Sequence, residues 1–262
     1  MRIVVLVKPT PNIEKVRFDM EKGLVDRSSV KLEINPFDLH AIEAAVKIKE
    51  ALGGEVIVIS MAPPNALNAL RDAIARGADR AILVSDKVFA GADTLATATT
   101  LAAAIRKLGS FDLVICGEKS VDGDTGQVGP EVAELLDIPH ASYVVRIVDV
   151  SHEVIKVVSD FGNAYYLIKL KLPALISVTK DVNVPRKPKF KDLMRARRAE
   201  ITIWRFKDLA QYLSLDEVGL QGSPTRVVKA FYAEPRARRT VKIKGSEAIE
   251  KVIELLSSEG VL

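Results

Sequence analysis

Four short, almost wholly apolar runs, Ile3–Val7, Val56–Ser60, Ala81–Val84 and Leu113–Gly117, are separated by longer stretches rich in alanine and leucine. Runs this continuously hydrophobic suit strands covered on both faces, as in parallel sheets. The stretches near 38–52, 64–77, 92–108 and 125–137 read as helices; Leu67, Leu70 and Ile74 recur at three- and four-residue spacing along one face. Gly77 is placed to end the second of them, and Ala78-Asp79-Arg80 returns the chain to the next strand. This strand–helix–strand order predicts right-handed crossovers and a doubly wound, mainly parallel α/β sheet.

The pattern then changes. Val144–Val150, Val154–Ser159 and Tyr165–Lys169 follow one another without helices, and Gly162-Asn163 permits a tight turn. An antiparallel excursion at one sheet edge is expected there, followed by a core-like strand, Ala174–Thr179. Pro185 and Pro188 hold residues 183–188 extended, because α geometry is disfavoured before proline. A short basic helix over 191–199, a strand at Ile201–Trp204 and a helix over 245–258 complete the reading. Strand-like segments thin out after 205. The expected organisation is therefore a nucleotide- or flavin-binding domain over 1–205 and a wrapping arm over 206–262 that packs on the body or on a partner.

Composition narrows the chemistry. Cys116 is the one cysteine among 262 residues, which excludes an internal disulfide framework and any cysteine-only cluster and fits a reducing cytoplasm. No apolar run approaches the ~20 residues of a membrane span, and the N-terminus reads as a strand, not a signal peptide. Eight Lys and Arg stand against three acids in residues 180–200, a local excess that accounts for the whole net charge of +4. Phe190 is the only aromatic in that segment and no zinc-finger or helix-turn-helix pattern is present, so a solvated or protein-docking face is expected in preference to nucleic acid.

Two turns carry the candidate chemistry. Gly117-Glu118-Lys119-Ser120-Val121-Asp122-Gly123-Asp124-Thr125-Gly126-Gln127-Val128-Gly129-Pro130 follows a buried strand and opens a helix. Its four glycines let the backbone approach a ligand, and amides near 125–129 could hold a pyrophosphate. Ser120, Thr125 and Gln127 add polar groups. Asp122 and Asp124 would repel phosphate, so capping or acceptance from ribose hydroxyls is expected of them; Asp124 and Gln127 have capping-box spacing. The second turn, Ala90-Gly91-Ala92-Asp93-Thr94-Leu95-Ala96-Thr97, offers the Thr94 and Thr97 hydroxyls, with Asp93 a helix cap. A nucleotide across these turns would pass the strand ends at Val7-Lys8-Pro9 and Ser60-Met61-Ala62. An ordinary glycine-rich turn with caps is the competing explanation of the first turn.

Neither turn contains the Gly-x-Gly-x-x-Gly fingerprint or a P-loop, which argues against a standard Rossmann dehydrogenase or an ATPase. His40, His140 and His152 lack ligand spacing, and no Gly-x-Ser-x-Gly elbow or acid–base pair is present. No catalytic residue and no metal site is assigned; any chemistry belongs to a bound cofactor.

Several stretches together resemble the β subunit of electron transfer flavoproteins. They are Val7-Lys8; Asn35-Pro36-Phe37-Asp38 with the helix Ala41–Glu50; Ala75-Arg76-Gly77-Ala78-Asp79-Arg80; Asp122–Pro130; and Val178–Arg186 with Met194-Arg195-Ala196-Arg197-Arg198. The resemblance covers residues 1–205 and extends more loosely beyond. It implies a Rossmann-like fold of the adenine nucleotide alpha hydrolase type and a heterodimer with a larger α subunit that holds the electron-transferring FAD. The Asp-Gly-Asp-Thr-x-Gln-Val-Gly-Pro loop resembles the branch in which this subunit binds a second FAD and takes a hydride from NADH. In that branch one electron goes to a high-potential acceptor and one to ferredoxin or flavodoxin. A non-bifurcating carrier with structural AMP is the alternative within the family, and a non-redox adenine-nucleotide regulator the alternative outside it. Asn35 and Asp38 would line the flavin or ribose end. The resemblance also implies that Phe190, flanked by Lys189 and Lys191 and close to Met194, stands where the family's hydrophobic docking anchor, often leucine, meets a partner. That partner would be an acyl-CoA dehydrogenase or a quinone-oxidoreductase-type acceptor. A cytoplasmic location is expected, with peripheral membrane association through a quinone-reducing partner left open.

Overall fold

The computed structural model describes residues 1–11, 18–19, 24–25, 31–226, 240, 242, 245 and 248–262. The chain divides into two units, Met1–Arg226 and Val227–Leu262. The expected boundary at 205/206 falls earlier than this division. Leu209, Leu213 and Val218 are buried in the core of the first unit and carry the intervening segment with them.

A nine-stranded sheet organises the first unit. Its core strands are β1 (Arg2–Leu6), β6 (Glu55–Met61), β7 (Arg80–Val84) and β8 (Leu113–Gly117). A small ribbon, β2 (Pro9–Pro11) with β5 (Leu32–Ile34), leaves β1, and β3 (Phe18–Asp19) pairs with β4 (Leu24–Val25). Beyond β8 come β9 (His140–Val150), β10 (Val154–Asp160), β11 (Tyr165–Lys171), β12 (Ala174–Val178) and β13 (Thr202–Trp204). The order across the sheet is β11-β10-β9-β12-β8-β1-β6-β7-β13. All pairings from β9 to β13 across this order are parallel, and β10 runs antiparallel to both β9 and β11. The antiparallel excursion is thus present, but its first strand starts at His140 and belongs to the parallel sheet through β12.

Strict alternation explains the layering. In β1, Ile3 and Val5 point to one face and Val4 and Leu6 to the other; in β6, Val56 and Val58 oppose Ile57 and Ile59 in the same way. One face is covered by α1 (Pro36–Leu52) and α2 (Leu67–Ala75), through Ala41, Ile42, Ala45, Leu70 and Ala73. The other is covered by α3 (Thr94–Leu108) and α4 (Val128–Leu136), through Ala98, Leu101, Ala104, Val132 and Ala133. With both faces dry, the central strands are apolar throughout, as a parallel sheet requires. The basic helix α5 (Phe190–Arg198) packs on α2 through Ala196, and a short α6 (Phe206–Leu209) follows β13. In the second unit, α7 (Ala248–Ser258) presents exposed Ile249, Val252, Ile253, Leu255 and Leu256. No described helix is long and apolar enough to cross a membrane.

Candidate functional site

From β1 the chain moves outward through β6 and β7, then α3 carries it back to β8 on the other side of β1. The strand order reverses there, and in an open α/β sheet the crevice beyond the strands' carboxyl ends at such a point is where ligands bind. A cavity of about 410 Å³ occupies it, lined by the ends of β1 and β8, the start of α3 and the loop into α4.

The loop 118–127 is held by two buried side chains at the start of α1, the N-cap Asn35 and Asp38. Asn35 is 1% exposed; its amide donates to the Lys119 carbonyl at 2.8 Å and accepts from the Val121 amide at 3.2 Å. Asp38 accepts from the Lys8 amide at 2.7 Å and from the Gly117 amide at 3.1 Å, tying the ends of β1 and β8 together. Burial pushes the Asp38 carboxyl up to about 7, against the opposing effect of these hydrogen bonds and of Lys8. Both residues border the cavity, yet their polar atoms are committed to the loop. They shape the site and leave little free to meet a ribose. At Gly117 a Cβ would lie 2.5 Å from Asp38 Oδ1, so this clamp requires glycine.

The acids of the loop are neutralised by lysines. Lys8 Nζ donates to Asp122 at 2.7 Å and to the Ser120 hydroxyl at 3.2 Å, and Lys119 Nζ pairs with Asp124 at 2.7 Å. Burial raises the Asp122 carboxyl, but its bonds to Lys8 and Ser120 outweigh that and hold it low. Asp122 and Asp124 therefore neither cap a helix nor line the cavity. The expected Asp124–Gln127 capping box does not form: Asp124 takes a left-handed φ of 53°, and α4 starts at Val128 with no side-chain cap. Consequently the backbone N–H groups of residues 125–129 donate to no acceptor among the described residues. Residues 125–129 line the cavity at a helix N-terminus, the setting in which free backbone N–H groups hold anions. Gly129 lies on the helix floor; a Cβ there would come 2.8 Å from Cys116 Sγ.

The second turn meets the first. Asp93 caps α3, accepting from the Ala96 amide at 3.1 Å. The Thr94 hydroxyl lies 3.1 Å from Glu131 Oε1 and 3.3 Å from Gln127 Oε1, so the two loops are stitched across the cavity. Val7, Met61, Thr97, Gly123, Thr125 and Gly126 also line it. Besides Asp122 and Asp124, three expected residues do not. Pro9 is buried in the ribbon opposite Ile34. Ser60 is wholly buried inside β6, opposite Leu83. Ala62 lines a separate cavity of about 840 Å³ at the ends of β6 and β7, which shares Met61 and Phe89 with the first. Leu6, Phe89, Leu101 and Cys116 form an apolar floor that sequence reasoning missed; strand alternation placing Leu6 and Cys116 on the α3/α4 face was the available signal. Glu118 and Lys119 also line the wall, and burial raises the Glu118 carboxyl. Burial likewise pushes the Cys116 thiol far up, leaving it an inert wall group. Among the described residues no cluster of His, Cys, Asp or Glu could hold a metal.

A family model for the electron transfer flavoprotein domain matches residues 22–209. Similarity to curated proteins runs along the whole chain. The electron transfer flavoprotein subunit beta of Thermoanaerobacterium thermosaccharolyticum is 42% identical, over 100% of both chains.

The chain belongs to the electron transfer flavoprotein beta-subunit family.

Other members include the caffeyl-CoA reductase-Etf complex subunit CarD of Acetobacterium woodii, 42% identical over 88% of this chain and 87% of its own. Protein FixA of Azorhizobium caulinodans is 40% identical over 94% and 90%, respectively. The expected family and the doubly wound fold are thereby established. The basic segment is fixed to α1 by ion pairs and hydrogen bonds. Arg186 forks onto Glu43 at 2.7 Å and Glu50 at 2.7 Å, and the His40 ring Nδ1 lies 2.9 Å from the Asn183 carbonyl. Just beyond this anchored stretch Phe190 stands 78% exposed, so it is not packed beneath its own helix.

Proposed function

We propose that the chain is the β subunit of a heterodimeric electron transfer flavoprotein and that its cavity holds FAD. The unpartnered amides of residues 125–129, at the sheet's switch point, carry this reading: they match a diphosphate and no side chain fills their place. The fit extends to the walls. Thr94, Thr97, Ser120 and Gln127 supply neutral polar groups, Lys8 and Lys119 lie at the loop, and Leu6, Phe89, Leu101 and Cys116 exclude water from the floor. When bound, the flavin supplies hydride acceptance and one-electron release, chemistry that no side chain here offers. The protein's own part is to fix the dinucleotide's phosphates, to keep the acids of the loop paired with lysine and to hold the loop through Asn35 and Asp38.

FAD is favoured over AMP by the Asp122-Gly123-Asp124-Thr125-Gly126-Gln127-Val128-Gly129-Pro130 loop and by similarity to a subunit named for a reductase–Etf complex. In this reading NADH is the hydride donor, the α subunit holds a second FAD, and electrons divide between a high-potential acceptor and ferredoxin or flavodoxin. Phe190, rimmed by Lys189 and Lys191 with Met194 behind, docks the acceptor, an acyl-CoA dehydrogenase or quinone oxidoreductase: an apolar anchor inside a charged rim. Extraction of cofactors from the full-length chain co-expressed with its α subunit tests the proposal. Two FAD per heterodimer are expected. One FAD with one AMP would leave this subunit a structural nucleotide, and no flavin would overturn the redox reading. Titration with NADH then shows whether hydride enters the complex.

A further inference from the structure

The wall of the cavity formed by Asp93, Thr94 and Thr97 is braced from outside by a segment far along the chain. After a turn over Leu215–Glu217, closed by reciprocal Ser214–Glu217 hydrogen bonds, the backbone runs beneath the loop that precedes α3. The Leu220 amide donates to the Ala90 carbonyl at 3.0 Å. Gly219, at φ 58°, passes so close that a Cβ would fall on the Val88 carbonyl oxygen, 2.0 Å away. The Ser223 hydroxyl accepts from the Asp93 amide at 2.8 Å and donates to the Gly219 carbonyl at 2.7 Å. Thr225 donates twice to Asp93 Oδ2, from its amide at 3.0 Å and from its hydroxyl at 2.8 Å.

Asp93 Oδ1 is taken by the Ala96 amide of α3 and Oδ2 by Thr225 of the strap, so both carboxylate oxygens are engaged by the protein. That disposition has an electrostatic consequence. Burial raises the carboxyl, but the bonds from Ala96 and Thr225 outweigh it and hold it low, so Asp93 is ionised at neutral pH. Asp93 borders the cavity, and a free carboxylate there would repel an anionic ligand.

We propose that Ser223 and Thr225 are positioning residues that park the Asp93 charge away from the nucleotide's phosphates and so set the cavity's affinity for anions. The proposal rests on the nucleotide reading of the cavity and adds to it a role for a segment outside the sheet. Its signature is charge-specific. Releasing the strap weakens binding of a phosphate-bearing ligand while sparing its neutral counterpart, and removing the Asp93 charge restores binding.

The test uses the full-length heterodimer, freed of endogenous nucleotide and titrated calorimetrically with AMP and with adenosine. In the Ser223→Ala/Thr225→Val variant AMP binds about tenfold more weakly, the scale of one like-charge repulsion near a protein surface, and adenosine binds as in the wild type. Adding Asp93→Asn, which still caps α3, recovers most of the AMP affinity, and Thr225→Ser alone behaves as the wild type. Equal weakening of both ligands, no weakening of either, or no recovery with Asp93→Asn overturns the positioning role. A wild-type heterodimer that binds AMP no better than adenosine overturns the phosphate reading of the cavity itself, a result separable from the variant comparison.

Discussion

Replacing Gly129 with alanine probes the anion cradle at its floor. The added Cβ would sit 2.8 Å from Cys116 Sγ, with Ser177 Cβ at 3.6 Å and Leu175 Cδ2 at 3.7 Å, so the strain falls on one contact. Ordinary van der Waals contact begins near 3.4 Å, and the start of α4 must retreat by about 0.6 Å. Overpacking of this kind costs roughly 1–3 kcal/mol of stability, and because Gly129 sits in the first turn of α4 the helix-interior preference for alanine offsets little of it. The effect on ligand binding is steeper. A displacement of that size stretches an amide–phosphate bond of about 2.9 Å to the limit of useful geometry, and hydrogen bonds to charged groups are worth about 1.5–3 kcal/mol each. Loss of one such bond weakens nucleotide binding about 10- to 100-fold. The assay is calorimetric titration of AMP into the nucleotide-free heterodimer, beside a thermal melt of each variant. The Cys116→Ala/Gly129→Ala pair removes the clashing sulfur and should recover most of the affinity. Wild-type affinity in Gly129→Ala, with a lowered melting temperature, would refute the placement of the phosphates at α4.

Other consequences follow from the same contacts. Because Asp38 is pushed up to about 7 in the folded chain, the unfolded chain loses this proton first as pH rises from about 4. Stability should therefore fall between roughly pH 4 and 7, by at most about 4 kcal/mol; urea titrations across this range should show the decline flattened in Asp38→Asn. Arg186→Ala strips the 4%-exposed Glu43 of its bidentate partner while Lys47 remains 3.7 Å away. A cost of about 2–3 kcal/mol is expected, below the full penalty for an orphaned buried charge, and Glu43→Gln in the same chain should return part of it. Phe190→Ala removes a side chain that is 78% exposed, so the melting temperature should hardly move. Affinity for the acceptor protein should drop about tenfold or more, and unchanged acceptor kinetics would discard the docking role.

The parallel core was legible because runs such as Ile3–Val7 and Leu113–Gly117 are continuously apolar, of strand length and rich in β-branched residues, the pattern of strands dry on both faces. The glycine-rich loop was legible for its position after such a strand. What escaped was long-range partnership. Nothing local to Asp122 or Asp124 reveals that Lys8 and Lys119 will neutralise them, and the apparent capping box failed because Asp124 adopts a left-handed φ before α4 begins. Asn35 and Asp38 were visible as site residues, but their role as backbone clamps depends on amides up to 86 positions away. The strap at 219–225 and the buried Leu209, Leu213 and Val218 read as a tail because their apolar residues are sparse and follow no strand or helix period. Pro9 and Pro11 disguised a ribbon strand, since proline within a strand is tolerated only at edges.

Amide hydrogen exchange at residues 125–129 tests the cradle most directly. In the full-length heterodimer with cofactor in place these five N–H groups should exchange far more slowly than after the nucleotide is removed, while the Lys8 and Gly117 amides, already bonded to Asp38, change little. Exchange at 125–129 that is the same with and without stoichiometrically bound cofactor would contradict the account.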